Sequence, residues 1–242
     1  MAGNLNHRIK TVVRSFTRFW SEDRSLTAFL ILLIVEIFVI TPINRSGLGI
    51  GLVNNVLFSL LLLVGLLNMT RQKALQAVLA MLVALAVATR WARLVFGVTG
   101  LEILDSFLML ACIAGFLVIV LWQVFREGPV TVHRIQGAVA AYLLLSVFFA
   151  IAYSLVEFLS PDAFQMSAAG PHSPELHGQM FYYFSVITLT TTGYGDITAV
   201  NPFARTLVMM ETLIGQLYPA ILIARLVSLH AETKREKRAG HQ

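Results

Sequence analysis

The amino-acid sequence predicts an all-α membrane protein with six transmembrane helices and a re-entrant helix between the fifth and the sixth. Hydrophobic residues make up 57% of the 242 residues, charged residues make up 13%, and the mean hydropathy is +0.76. These values lie outside the balance of a soluble globular domain. Six apolar stretches approach or exceed the ~20 residues that a helix needs to cross the hydrocarbon core of a bilayer. They are roughly 26–43, 52–69, 74–96, 101–125, 135–159 and 203–229.

The positive charges predict the orientation of these six spans. With both termini in the cytoplasm, fourteen of the 18 Lys and Arg residues fall on the cytoplasmic side, which is where short loops retain them. The net charge of +5 therefore indicates membrane orientation and membrane lipid as a partner. No nucleic-acid partner is expected, because the basic residues are spread over several loops and two tails. Residues 1–25 predict a basic amphipathic helix on the inner membrane surface, or one that packs on the protein itself.

The stretch 188–196 reads Thr-Leu-Thr-Thr-Thr-Gly-Tyr-Gly-Asp and is the most informative part of the chain. Two glycines that flank one tyrosine let successive carbonyls turn toward one axis, where they can replace the water shell of a cation. The apolar segment 179–190 before it forms about three helical turns, too short to span, and a spanning segment follows. Irregular backbone at membrane depth is tolerated only where protein or a water-filled path surrounds it. The short helix before this stretch and the spanning segment after it provide that setting, so they argue against the alternative of a glycine-rich soluble turn.

This stretch resembles the selectivity filter of potassium channels, whose usual form is T-x-T-T-V-G-Y-G-D. The runs at 130–145 and 213–227 look like bacterial six-transmembrane-helix potassium channels of the ion-channel superfamily, sometimes labelled two-pore-domain-like although each chain carries one pore loop. The resemblance covers about 100 residues. It implies a potassium-selective channel of the bacterial inner membrane, with potassium ions in the filter and no organic cofactor. It also implies a homotetramer, because four copies close the ring of carbonyls.

The hydropathy and charge pattern, together with this resemblance, predicts four segments. They are a cytoplasmic amphipathic helix at 1–25, a four-helix transmembrane domain at 26–128, a pore domain at 129–230 and a cytoplasmic tail at 231–242.

The resemblance also assigns roles to single residues. Asp196 would anchor the outer rim of the filter, and Tyr183 and Phe184 stand where an aromatic cuff supports it; plain packing is the alternative for both aromatic residues. The ion-coordinating filter would consist of Thr191, Thr192, Gly193, Tyr194 and Gly195, with potassium at the first four and the Thr191 hydroxyl at the innermost site.

Two positions depart from the usual pattern. Thr192 replaces valine, so its hydroxyl needs a buried partner, while its carbonyl can still coordinate potassium. Ile187 stands where several potassium channels carry an acid that pairs with the rim aspartate. The second departure argues against inactivation through such a pair.

The last span predicts a gate. Pro219 lacks the amide that would bond the carbonyl of Gly215, and glycine is itself a weak helix former, so a bend is expected at this turn; a static kink is the alternative. Thr212 and Gln216 are predicted to face the cavity. Glu211 is an acid inside a span and must face protein or water.

The first four spans do not predict a voltage sensor. The fourth carries no Lys or Arg, and Arg90 and Arg93 lie at the outer end of the third, at the estimated depth of Glu36 and Asp105. Since each charge that crosses the field contributes only ~2.3 kcal/mol per 100 mV, we expect a structural charge cluster; a sensor of reduced charge is the alternative.

Other function classes fit the sequence less well. No arrangement of His, Ser or Cys suited to hydrolysis accompanies the intramembrane acids, so an enzyme is not expected. The two halves show no repeat pairing of the kind found in secondary transporters. A weakly selective monovalent cation channel and a non-conducting membrane subunit remain as alternatives.

Overall fold

A computed structural model of the chain describes residues 22–40, 48–67, 73–96, 99–126, 131–166 and 174–239. The described part is helical almost throughout, as the sequence predicted. A π-helical turn, Glu36–Ile40, continues the first helix, and a 3-10 turn, Thr99–Leu101, precedes the fourth. The helices are α1 (Glu22–Val35), α2 (Leu48–Leu67), α3 (Lys73–Phe96), α4 (Glu102–Phe125), α5 (Val132–Leu159), α6 (Pro174–Leu189) and α7 (Pro202–Ala239). Nearly all of the predicted amphipathic helix at 1–25 lies outside the described residues.

Four of these helices are long and apolar enough to cross a membrane, and they coincide with the predicted third to sixth spans. They are Leu75–Phe96, Glu102–Phe125, Val132–Leu159 and Pro202–Ser228. Within the described residues the first two predicted spans are shorter apolar helices, Leu26–Val39 and Leu52–Leu66. The all-α membrane class is confirmed, and the count of six spans stays a prediction.

Helix α5 lies at the centre of the packing. Thr131 caps its start, where the threonine side chain accepts a hydrogen bond from the Arg134 amide at 3.3 Å, an arrangement that satisfies one of the first unpaired amides of a helix. Helices α1, α4, α6 and α7 all pack against α5, which explains why its apolar residues do not segregate to one face. Of the described helices before residue 129, α1 and α4 therefore rest on α5 of the same chain.

A two-stranded antiparallel sheet joins the chain before α6 to the chain after it. Strand β1 (Phe164–Met166) pairs with β2 (Ile197–Ala199), with Gln165 opposite Thr198. The carbonyl of Ala163 extends the pairing, because it accepts hydrogen bonds from the amides of Val200 at 2.8 Å and of Asn201 at 3.2 Å. The sequence analysis did not predict these strands, which are three residues long. They fix the segment that follows residue 196 to the segment that precedes α6.

An aromatic cluster fills the space between α5, β1 and α6. Tyr153 of α5 and Phe164 of β1 lie with ring centroids 5.3 Å apart. Phe181 and Phe184 of α6 pack on Phe164 at 4.9 Å and 5.7 Å. All four side chains are buried, and aromatic pairs at these distances add to the stabilisation from burial. This cluster positions α6 against α5.

Candidate functional site

The residues singled out by their resemblance to a filter follow directly on the C-terminal end of α6. Helix α6 begins at Pro174, five residues before the predicted start at 179, and ends at Leu189, where the prediction ended at 190. Proline is favoured in the first turn of a helix, since it has no amide to leave unpaired there. From Thr190 to Asp196 the chain has no helix or strand.

The amides of this segment are bound to the last turn of α6. The carbonyl of Ile187 accepts hydrogen bonds from the amides of Thr192 at 2.8 Å and of Gly193 at 3.3 Å, and that of Thr188 accepts one from the Thr191 amide at 2.9 Å. These bonds satisfy carbonyls that a helix end leaves unpaired. No described peptide bond is cis, and in a trans peptide the N–H and the preceding C=O point in opposite directions. The carbonyls of residues 190, 191 and 192 therefore all point away from α6.

Every second residue of this segment has a left-handed backbone. The φ angles are +56° at Thr191, +54° at Gly193 and +78° at Gly195. In an extended chain successive carbonyls alternate between two sides, whereas a left-handed residue at alternate positions turns them toward one side. The space around both glycines is open, so the backbone angle is what requires glycine there. At Thr191 a β-branched residue holds an unfavourable angle, which the three amide bonds to α6 maintain.

The hydroxyl of Thr192 has a partner within the same segment. Its Oγ1 lies 3.0 Å from Oγ1 of Thr190, and the Thr190 hydroxyl donates to the carbonyl of Val186 at 2.8 Å. A hydroxyl has one hydrogen to donate, so Thr192 donates to Thr190 and Thr190 to α6. Thr192, which replaces the valine of the usual potassium-channel pattern, is thus hydrogen-bonded to Thr190. No role had been predicted for Thr190.

The predicted rim residues lie in two different environments. Asp196 accepts a hydrogen bond from the amide of Ile197 at 3.2 Å, and Tyr183 lies close enough to Asp196 for the two side chains to interact electrostatically. Tyr183 remains 42% exposed, whereas Phe184 is buried in the aromatic cluster. Of the two predicted cuff residues, Tyr183 therefore lies beside Asp196 and Phe184 packs on α5 and β1.

Gly215 of α7 lies against the end of α6. A Cβ at Gly215 would stand 2.0 Å from the carbonyl oxygen of Leu189, so the two backbones are in direct contact. The same oxygen accepts a hydrogen bond from the hydroxyl of Tyr142 on α5 at 3.0 Å. This close approach gives Gly215 a packing role that the sequence analysis did not foresee, and the hinge at Gly215 and Pro219 stays a prediction.

The two residues predicted to face a cavity differ in exposure. The Thr212 hydroxyl donates to the carbonyl of Val208 at 2.8 Å within its own helix. Gln216 is exposed. Their place relative to a cavity stays a prediction.

Glu211, one turn before Gly215, is fully buried. Its carboxyl group is hydrogen-bonded to the hydroxyls of Tyr153 on α5 and Ser185 on α6. As an acid inside a span, Glu211 was expected to face protein or water. Tyr153 and Ser185 were not predicted as its partners, because they lie 58 and 26 residues away in the chain. Helices α5, α6 and α7 thus meet at one carboxyl group.

The charged residues of the first four helices form two connected groups. In one, Arg93 Nη1 lies 2.8 Å from Oδ2 of Asp105, and Arg93 Nη2 lies 3.7 Å from Oε1 of Glu102, which links α3 to α4. In the other, Arg90 donates to Oδ1 of Asn55 on α2 at 2.7 Å. The side-chain amide of Asn54, oriented to satisfy both neighbours, donates to Glu36 and accepts from Arg90.

The structure therefore places Arg90 near Glu36 and Arg93 beside Asp105, as their estimated depths in the membrane predicted. The contribution of α2 was not predicted. Asn54 and Asn55 in the apolar helix α2 were the sequence feature that could have indicated this contribution, since a polar side chain inside a membrane span usually pairs with another polar group.

Comparison with known proteins assigns the part of the chain that contains the filter segment. Residues 142–232 match the family described as an ion channel. A segment of 97 residues is 32% identical to the inward rectifier potassium channel Kirbac3.1 of Paramagnetospirillum magnetotacticum. Residues 142–232 are thus similar to an ion-channel domain. No solved structure matches the chain with significance.

The matched segment contains α6, residues 190–196, Glu211, Gly215 and Pro219. The charged groups around Arg90 and Arg93 lie outside it. The aligned segment covers 38% of this chain and 27% of the length of the relative.

Proposed function

We propose that the chain is the subunit of a potassium-selective ion channel, in which a homotetrameric pore passes dehydrated potassium through the carbonyls of residues 191–195. One observation supports this proposal above all. The amides of Thr191, Thr192 and Gly193 are bound to α6 while the backbone alternates between left-handed and ordinary angles. This arrangement directs a row of carbonyl oxygens to one side, and such oxygens replace the water shell of potassium.

Within this proposal each residue of the filter segment has a task. Thr191, Thr192, Gly193 and Tyr194 coordinate potassium, and the Thr191 hydroxyl contributes to the innermost site. Gly195 and Asp196 complete the outer rim, with Tyr183 beside Asp196. The C-terminal end of α6 carries the negative end of the helix dipole, which favours a cation nearby.

A fourfold assembly is supported by what a single chain leaves uncovered. Tyr194 is 72% exposed, and residues 191–195 are all exposed. Exposed apolar residues also line much of α7, although a membrane helix exposes apolar residues to lipid as well. Four copies around one axis would cover the filter side chains and close the carbonyl ring. We place the pore domain at 129–230, in a bacterial inner membrane with both termini cytoplasmic.

Ion flux from liposomes that contain the purified full chain tests this function. Gly193→Ala is the inactivating variant, because an L side chain is unfavourable at its φ of +54°. Gly100→Ala is the matched control, since Gly100 has open space around it and no positive φ. We expect potassium flux from wild type and Gly100→Ala, and none from Gly193→Ala.

Two other results would contradict the proposal. Equal potassium and sodium flux would indicate the weakly selective cation channel. The absence of flux from a correctly assembled wild-type protein under varied pH, voltage and lipid composition would indicate a non-conducting subunit.

A further inference from the structure

The carboxyl group of Glu211 joins the three helices that surround the filter. Tyr153 of α5, Ser185 of α6 and Glu211 itself are each 0% exposed. Both carboxyl oxygens are engaged, Oε2 with the Tyr153 hydroxyl and Oε1 with the Ser185 hydroxyl. Because Glu211 lies in the apolar part of α7, the hydroxyls are the polar groups that hold it.

Among the described residues, the groups that face Glu211 carry no positive charge. The titratable groups from the neighbouring helices are the phenols of Tyr153 and Tyr142, both on α5, and α6 contributes the Ser185 hydroxyl. An ionised carboxylate inside a membrane segment requires a cation or water to offset its desolvation. Complete burial without a neighbouring cation therefore favours the protonated acid at this position.

A count of hydrogens leads to the same protonation state. Ser185 Oγ lies 2.8 Å from the carbonyl oxygen of Ser146 and is also bonded to Glu211. The Ser185 hydroxyl has one hydrogen, and a backbone carbonyl can only accept. If Ser185 donates to Ser146, the bond between Glu211 and Ser185 needs a hydrogen on the carboxyl group. With that hydrogen, every buried polar group in the chain Tyr153, Glu211, Ser185 and Ser146 is satisfied.

This chain of bonds ends at the turn of α6 that holds the filter. Ser185 lies two residues before Ile187, whose carbonyl accepts the amides of Thr192 and Gly193. Ile187 contributes an apolar, buried side chain. The polar contacts with this turn come from Glu211 of α7 and from Ser146 and Tyr142 of α5.

We propose that Glu211, in its protonated form, is a positioning residue that fixes α6 and thereby the filter carbonyls. The proposal rests on the potassium-channel function proposed above. Glu211 does not contact the ion; it acts through Ser185 and the last turn of α6. Loss of the carboxyl group releases this turn and lowers selectivity. Glutamine replaces the protonated acid, because it offers one acceptor oxygen and a donating NH2 group in nearly the same shape.

The flux experiment is repeated with Glu211→Gln, Glu211→Ala and the control Thr206→Ala, an exposed position on the same helix. We expect Glu211→Gln and Thr206→Ala to keep the wild-type ratio of potassium to sodium flux. Glu211→Ala should lower that ratio about tenfold, because it leaves the buried Tyr153 hydroxyl without a partner and removes the bond between α7 and Ser185 of α6. Wild-type selectivity in Glu211→Ala would overturn the positioning role, and equal damage from Glu211→Gln would overturn the protonated form.

Two further measurements keep the proposal testable if Glu211→Ala does not assemble. Ser185→Ala removes the link between Glu211 and α6 with a smaller change in volume, and it should also lower the flux ratio; an unchanged ratio overturns the proposal. Infrared spectroscopy of the wild-type protein should show the carbonyl stretch of a protonated carboxylic acid that disappears in Glu211→Gln. This band does not depend on conduction, so its presence in a protein without flux would contradict the channel function alone, and its absence would contradict the protonated form.

Discussion

The backbone carbonyl of Leu189 occupies the space that a side chain at Gly215 would need. A Cβ at Gly215 would lie 2.0 Å from the Leu189 oxygen and 2.8 Å from its carbonyl carbon. Helices α6 and α7 therefore meet backbone to backbone immediately before the filter. Since backbone atoms at the end of a packed helix cannot move aside as a flexible side chain can, this contact requires glycine.

Gly215→Ala should consequently disrupt the filter as well as any bend of α7. We expect loss of potassium flux, or loss of assembly, because α6 and α7 must separate to accommodate the methyl group. Flux and size-exclusion profiles of Gly215→Ala, compared with those of Gly100→Ala, test this expectation. Normal flux with normal selectivity would show that the two helices are not in contact in the working channel.

Pro219→Ala is the substitution that isolates the predicted hinge. It restores an amide that can bond the carbonyl of Gly215 and removes the steric cause of a kink. We expect a changed open probability with an unchanged ratio of potassium to sodium permeability. Single-channel recording measures both quantities in one experiment. Unchanged gating in Pro219→Ala would favour a static kink over a hinge.

Thr192→Val should leave potassium selectivity in place. The coordinating carbonyl belongs to the backbone, and the substitution removes only the hydroxyl that donates to Thr190. An exposed hydrogen bond of this kind contributes about 1 kcal/mol or less, so a small loss of thermal stability is expected. Reversal potentials under potassium and sodium gradients provide the measurement. Wild-type protein with equal permeability to both ions, and selectivity gained in Thr192→Val, would show that the hydroxyl loosens the filter.

Arg93→Gln should destabilise the protein without altering its voltage dependence. Asp105 is buried, and its ion-pair partner Arg93, at 2.8 Å, is partly exposed. Loss of the partner of a buried acceptor costs about 1–3 kcal/mol. The double variant Arg93→Gln with Asp105→Asn should recover much of this loss. Thermal unfolding in detergent reports the stability, and conductance–voltage curves report the gating. A steep wild-type curve that flattened in the double variant would identify a voltage sensor.

The fold class and the left-handed backbone at Gly193 and Gly195 were predictable from the sequence, because both depend on local patterns. Apolar length indicates membrane helices, and glycines on either side of Tyr194 indicate left-handed backbone at fixed spacing. The left-handed angle at Thr191 was not predictable from residue type, since a β-branched residue disfavours it. It results from the amide bonds to Ile187 and Thr188, which exist only once α6 has formed.

The contacts behind the filter were not predictable for a different reason. Tyr153, Ser185 and Glu211 lie on three different helices. Their contact depends on how each helix is rotated about its own axis, and the sequence of a helix that is apolar on all faces does not determine this rotation. Gly215 was interpreted as a hinge because its neighbour Pro219 indicated a bend, whereas its contact with Leu189 depends on the path of a distant helix. Strands β1 and β2 are too short for an alternating pattern to be visible.

The length of α5 has a consequence for how the protein sits in its bilayer. A helix of 28 residues is about 42 Å long, whereas the hydrocarbon core is ~30 Å thick. Helix α5 must therefore tilt or extend beyond the hydrocarbon at its ends, and its tilt depends on bilayer thickness. Because α6 packs against α5 and its final carbonyl is bonded to Tyr142, the thickness of the surrounding membrane acts on the same helix that supports the filter.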